Sequence, residues 1–233
     1  MSLTSQAKQL QDLLDLKWRP ISITFMKEPP AGIPRISKSA PSGCTYWKLA
    51  GEGQVFYTEA SDHFGCTIGA YTHGIGLPSE QGKELEGMID TMVGLNYLKM
   101  EEVASIPRRE DAFDVAIYAP LAESPFEPDV VIVRGNAKQI MLLAEAINAA
   151  GLGNGNGIMG RPTCAMIPAV LKSQQAVISF GCIGNRVYNE LVDGELYAAI
   201  RGSQLSSVLE GVSAVELANR KLEDFHRNRT IHI

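Results

Sequence analysis

Apolar residues at the start of the chain recur at helical spacing. Leu3, Ala7, Leu10 and Leu14 form one stripe that Leu13 widens, which predicts a helix. Ile21–Met26 alternates and is β-rich, which predicts a strand stopped by Pro29 and Pro30. Residues 31–43, rich in Pro, Gly and Ser, read as irregular. A short strand is expected over 54–58. A helix then opens at Pro78-Ser79, carrying the stripe Leu85, Met88, Ile89, Met92 and Val93. Strands over 113–119 and 129–133 flank a loop with Pro125 and Pro128, and a helix over 136–150 ends at a C-cap glycine, Gly151. A short helix near 164–171, strands over 176–180 and 195–200, and a helix from Ser203 follow. Ser213 and Glu216 have capping-box spacing, which predicts a separate last helix to about Phe225. Strands and helices that mix without strict alternation imply an α+β fold, or α/β with an irregular mixed sheet. No linker divides the chain, so residues 1–233 are expected to form one compact domain.

The chain also repeats itself. Pro41-Ser42-Gly43-Cys44 resembles Pro162-Thr163-Cys164, and each is followed by an apolar stretch, a strand and the same tripeptide. That tripeptide is Phe64-Gly65-Cys66 in one block and Phe180-Gly181-Cys182 in the other, with Gly69 and Gly184 shortly after. A second match joins Val133-Arg134-Gly135-Asn136 to Ile200-Arg201-Gly202-Ser203. Two related halves, about 20–110 and 111–220, are the expected organisation.

All four cysteines lie in the matched blocks, each beside glycine, proline or a small polar residue at a turn. A cysteine that starts a short helix meets free N–H groups and the helix dipole, which favour its thiolate. If the halves pack around a pseudo-two-fold axis, Cys44, Cys66, Cys164 and Cys182 converge on one point. Soft thiolates on tight turns are what an iron–sulfur cluster or another thiolate-bound metal requires. No C-x-x-C spacing occurs. His63 and His73 offer a mixed alternative around Cys66, in an H-x₂-C-x₆-H arrangement. The other readings of the cysteines are buried thiols packed as small hydrophobes, one reactive cysteine, and, last, disulfides.

Other motifs carry less. The alternating glycines of residues 151–157 follow a helix instead of a strand and lack a Gly-Lys-Ser/Thr, so they read as a flexible connection. Arg134 and Arg201 each precede a glycine and a helix cap, where a guanidinium and helix-end N–H groups can hold an anion. No G-x-S-x-G or H-E-x-x-H motif is present.

Composition narrows the class. At 233 residues with 45% hydrophobic and 20% charged positions, the chain can bury a core without a disulfide or metal staple. A net charge of −5 argues against nucleic acid as the partner. No apolar run approaches the roughly 18 residues of a membrane span. Residues 1–16 lack a secretory pattern, so a cytoplasmic location without a membrane partner is expected. A homodimer is the ordinary expectation for the assembly.

The cysteine blocks, with Pro29-Pro30-Ala-Gly-Ile-Pro34 and the stretch from Gly160-Arg-Pro-Thr-Cys164 to Phe180-Gly-Cys182-Ile-Gly184, resemble the domain-of-unknown-function-169 family, also labelled ArCR-like. The resemblance runs from about Leu10 to Phe225. It implies a single domain architecture and brings no activity with it. The leading functional expectation is an iron–sulfur or thiolate–metal protein with an electron-transfer or redox role toward a partner protein. An enzyme or small-molecule-binding protein with one reactive cysteine in a pocket between the halves is the second. A structural adaptor whose cysteines only pack is the third.

Overall fold

The computed structural model describes residues 1–153, 158–159 and 161–229. The expected opening helix is α1 (Leu3–Leu14), and the first strand is β1 (Ile21–Met26). After the irregular stretch come α2 (Thr45–Gly51), β2 (Phe56–Glu59), α3 (Thr67–Thr72), α4 (Ser79–Gly94), α5 (Met100–Val103) and β3 (Val115–Pro120). The remainder is β4 (Val130–Asn136), α6 (Ala137–Ala149), the two-residue β5 (Ile158–Met159), α7 (Met166–Ser173), β6 (Val177–Ser179), α8 (Ile183–Asn189), β7 (Glu195–Arg201) and α9 (Leu205–Asn228). The architecture is α+β. Six antiparallel strands form one sheet in the order β2-β3-β1-β4-β7-β6, and β5 adds in parallel at the β6 edge.

The sheet reads the same outward from its centre. β1 and β4 pair antiparallel in the middle, Ile21 opposite Ile132. On one side lie β3 and then β2; on the other lie β7 and then β6, every pairing antiparallel. The place of β6 on one wing is therefore that of β2 on the other, and each of these strands precedes a Phe-Gly-Cys tripeptide.

β4 carries an unbroken Val-Val-Ile-Val run because helices cover both faces of the sheet. Val131 and Val133 pack with Leu10, Leu143 and Val208 of α1, α6 and α9. Val130 and Ile132 face the opposite layer, with Tyr46 and Trp47 of α2 and Met166 and Ile167 of α7. Cys44 and Cys164 are buried in that second layer.

The separate last helix is not formed; α9 runs unbroken through Ser213. The Ser213 hydroxyl donates back to the Leu209 carbonyl at 3.2 Å, and Glu216 pairs forward with Arg220. The buried stripe Leu205, Val208, Leu209 and Val212 holds the helix onto the sheet across the site of the expected break. Gly151 does close α6, with φ +70°. Most of the glycine cluster, residues 154–157 and 160, lies outside the described residues.

Two buried histidines stiffen the layer that holds the cysteines. His63 and His73 meet edge to face at 5.9 Å between ring centroids, and both rest on Phe113. Burial lowers the His63 pKa to about 3 and drives His73 well below the ordinary imidazole value. The folded state therefore keeps both rings neutral, while the unfolded chain protonates them near pH 6.5. Stability is full above that pH and declines as pH falls from it toward 3. Each ring contributes a loss of about 1.4 kcal/mol per pH unit. Chemical denaturation followed between about pH 7.5 and 5 checks this, and a midpoint that does not move with pH would contradict it.

Candidate functional site

Each cysteine sits where a turn becomes a helix. Cys44, Cys66 and Cys182 are the N-cap residues of α2, α3 and α8, and Cys164 lies in the 3-10 turn that leads into α7. Local contacts fix these turns in pairs. In the first pair, the Tyr46 hydroxyl accepts from the Ala40 N–H at 3.1 Å and donates to the Asp62 carbonyl at 2.6 Å. Arg35 grips the Asp62 carboxylate with Nε at 3.0 Å and Nη2 at 3.1 Å. Gly65 is required there, because a Cβ would stand 2.8 Å from the Ala40 carbonyl oxygen. In the second pair, the Cys182 N–H donates to the Thr163 hydroxyl at 2.6 Å, joining the two turns directly. Gly181 supplies the positive φ, +78°, that the second Phe-Gly-Cys turn needs.

The two pairs then meet. α2 packs on α8, and α3 packs on the turn that holds Cys164. Polar side chains cross between them: Asn185 of α8 lies against Cys44, and Thr72 of α3 lies against Cys164. The four thiols influence one another electrostatically. Cys44 feels the charge of Cys164, Cys182 and Cys66; Cys164 feels Cys66 and Cys182; and Cys66 feels Cys182.

Burial governs these thiols. Desolvation raises Cys44 well above the ordinary thiol value, the other three thiols add to it, and Asn185 opposes it. Cys164 is raised by desolvation first and then by Cys66, with the Thr72 hydroxyl opposing. Cys66 is raised by burial, against which the backbone N–H groups of Gly43 and Gly69 act. At Cys66 the backbone N–H groups do favour the thiolate, but loss of water outweighs them. Cys66 and Cys182 are partly exposed and Cys44 and Cys164 buried, so the group opens at one edge.

The remaining sequence candidates lie elsewhere. His63 and His73 stand beside each other, His63 Nε2 is 2.9 Å from the Thr58 hydroxyl, and no thiol enters the surroundings that set either ring's pKa. The mixed histidine–cysteine triad is not assembled. Among the described residues, which include all four cysteines, no group of three or more His, Cys, Asp or Glu side chains is placed to hold a metal ion.

Arg134 is not an anion site. Its guanidinium pairs with the Glu195 carboxylate, donates to the carbonyls of Asn189 at 3.2 Å and Glu190 at 2.8 Å, and lies 4.0 Å from the Trp18 ring centroid. Arg201 donates to the Leu171 carbonyl at 3.3 Å. The Arg-Gly pairs sit on neighbouring strands β4 and β7 of one wing, so they are not counterparts across the sheet centre. Gly202 is glycine because a Cβ would collide with the Pro128 carbonyl oxygen at the entry to β4.

Sequence reasoning missed Asn185 and Thr72. The available signal for Asn185 was its position three residues after Cys182 on a helix, which turns it toward the same side as the thiol.

With this α+β fold, the chain belongs to the domain-of-unknown-function-169 family, described as uncharacterised ArCR; the family model matches residues 9–211. The chain is similar to an uncharacterised protein of Methanocaldococcus jannaschii, MJ0308. The two are 25% identical over 226 residues, covering 90% of this chain and 93% of that protein. No solved structure matches the chain.

Proposed function

We propose that this protein binds an iron–sulfur cluster through Cys44, Cys66, Cys164 and Cys182 and passes electrons to or from a partner protein. The observation that carries the reading is that four cysteines from two matched sequence blocks each stand at the turn into a helix, with α2 packed on α8 and α3 on the Cys164 turn. Plain packing of small hydrophobes gives no reason for all four to meet, nor for polar groups to be directed at them.

A single ion and a cluster demand different spacings of the four sulfurs. A tetrahedral ion with metal–sulfur bonds of ~2.3 Å draws its sulfurs to within roughly 4 Å of each other. A cluster places its irons between the ligands and holds the outer sulfurs roughly 6–7 Å apart, given similar bond lengths. Partly exposed Cys66 and Cys182 provide the edge for loading and for electron exchange. A reducing cytoplasm would keep the thiols available.

A reactive-cysteine enzyme has less support. An open cavity of ≈ 470 Å³ is lined by residues including Phe25, Arg109, Asp129 and Lys172 and by none of the four cysteines. Burial also raises Cys44, Cys66 and Cys164 instead of activating them. No membrane partner is proposed; among the described residues, no helix is long and apolar enough to cross a membrane.

Anaerobic reconstitution of the full chain with ferrous iron and sulfide tests the reading. It is expected to give a visible charge-transfer spectrum that bleaches on reduction. A chain that stays colourless and retains no iron after desalting would overturn it.

One glycine offers a sharper probe. A Cβ on Gly69 would stand 2.9 Å from Cys66 Sγ, whereas one on Gly184 would meet nothing nearer than the Tyr188 ring at 4.0 Å. Alanine favours a helix interior over glycine by about 1 kcal/mol, so neither change harms its helix intrinsically. Gly69→Ala is expected to displace the sulfur and lower iron retention about tenfold or more, within the range seen when groups supporting metal ligands are lost. Gly184→Ala is expected to load normally. Equal loading of both variants would contradict the placement of Cys66.

A further inference from the structure

The open cavity of ≈ 470 Å³ that no cysteine lines lies between the end of β1, the entry to β4, α7 and the segment 108–111. Its volume suits a small organic molecule. Phe25 of β1 and Pro168 and Leu171 of α7 give it an apolar part, and charged side chains supply the rest. Some of those charges are already answered. Lys172 pairs with Glu110 at 3.7 Å, and the Arg108 guanidinium lies over the Tyr71 ring, 4.8 Å from its centroid. Arg109, Asp111 and Asp129 are the charges left over.

Arg109 is held in place without being satisfied. Its backbone N–H donates to the Thr72 carbonyl at 2.9 Å, and its Nε donates to the Asp111 carbonyl at 3.1 Å. Its guanidinium carbon rests 4.3 Å from the centroid of the Phe25 ring, which fixes the plane of the fork. Gly74 is glycine beside this segment because a Cβ would stand 2.8 Å from the Arg109 carbonyl oxygen. Both Nη groups are without a partner among the described residues, and no ion pair joins Arg109 to Asp111 or Asp129. Asp129 is fixed through one oxygen only, Oδ2, which accepts from the Phe25 N–H at 2.8 Å. Its Oδ1 and the Asp111 carboxylate accept no hydrogen bond among the described residues.

A positioned fork and two carboxylates that share a cavity without pairing select the charge of a ligand. A simple anion would meet the fork but be repelled by the carboxylates, and a simple cation would meet the reverse. A zwitterion whose two charges hang from one carbon answers both. We propose that this cavity binds a free amino acid with an apolar side chain. Its carboxylate takes the two open Nη groups of Arg109, its ammonium group takes Asp129 and Asp111, and its side chain packs on Phe25, Pro168 and Leu171. No cysteine takes part, so the inference stands or falls independently of the iron–sulfur reading.

Calorimetric titration of the full chain with leucine and phenylalanine tests it. Both are expected to bind with Kd below ~1 mM. Isocaproate is leucine without its ammonium group, and isoamylamine is leucine without its carboxylate. Both are smaller than leucine, so size cannot exclude them, and each should bind about tenfold or more weakly than leucine. Arg109→Met, which keeps an unbranched stem and removes the fork, should weaken leucine by about tenfold or more. Absence of leucine and phenylalanine binding at ~10 mM overturns the proposal. Isocaproate as tight as leucine would make the cavity a plain anion site, and isoamylamine as tight would make it a plain cation site; either result overturns the proposal, as does unchanged leucine affinity in Arg109→Met. If Arg109→Met does not fold, the comparison of leucine with its two half-charged analogues on the wild-type chain decides the matter.

Discussion

Replacing any one of Cys44, Cys66, Cys164 or Cys182 with alanine is expected to abolish stable cluster binding, and the four variants should fail alike. A four-cysteine cluster has no spare ligand, and the loss of one leaves an iron open to water and to loss of the cluster. Cys44 and Cys164 come from the first motif of each block and Cys66 and Cys182 from the second, so a site formed within one block alone would divide the set. Iron per chain after anaerobic reconstitution and desalting should fall from the two or four of a four-cysteine cluster to a small fraction of one. Circular dichroism should show that the sheet persists, because the core formed by Val131, Val133 and the α1, α6 and α9 layer contains no cysteine. If two variants load fully while two do not, the shared site is wrong.

Glu195→Ala is expected to lower stability by about 3–5 kcal/mol, because it leaves the Arg134 guanidinium buried and unpaired. Arg134 is 5% exposed, and its charge is met by Glu195 together with the carbonyls of Asn189 and Glu190. Glu195 also accepts from the Trp18 indole N–H at 3.0 Å. This network fastens the chain after α8 to β4, which holds the Cys182 helix at the centre of the site. Arg134→Met with Glu195→Leu should be milder than Glu195→Ala alone, since removing both charges together avoids the stranded guanidinium. For a chain of this size each kcal/mol shifts Tm by roughly 2–4 °C, so thermal or urea unfolding resolves the difference. A loss below about 1 kcal/mol for Glu195→Ala would contradict the pairing as a buried one.

The fold was legible where the pattern is strong and local. Ile21–Met26 is a strand with the bounds its alternation suggests, and the apolar stripe of residues 3–14 is α1. The short helices α2, α3 and α8 have six or seven residues, too few for a 3.6-residue period to build up. Ser213-x-x-Glu216 misled because a capping box acts only if the chain breaks there, and the buried stripe on either side keeps α9 whole.

The candidate cysteines stood out through repetition. Two Phe-Gly-Cys tripeptides after comparable strands were enough to expect that Cys44, Cys66, Cys164 and Cys182 share a location. Which other residues take part depends on contacts across long separations. Arg134 and Glu195 are 61 positions apart, and nothing near Arg134 in sequence announces a carboxylate. Asn185 reaches Cys44 only because α8 packs on α2.

The central claim is that four thiolates surround one iron–sulfur cluster. Anomalous diffraction at the iron edge, from crystals of the full chain reconstituted and grown anaerobically, tests it most directly. The predicted result is one compact anomalous peak bounded by Sγ of Cys44, Cys66, Cys164 and Cys182, with His63, His73 and Arg134 outside its coordination. Four unligated thiols in iron-reconstituted crystals, with no anomalous peak among them, would contradict it.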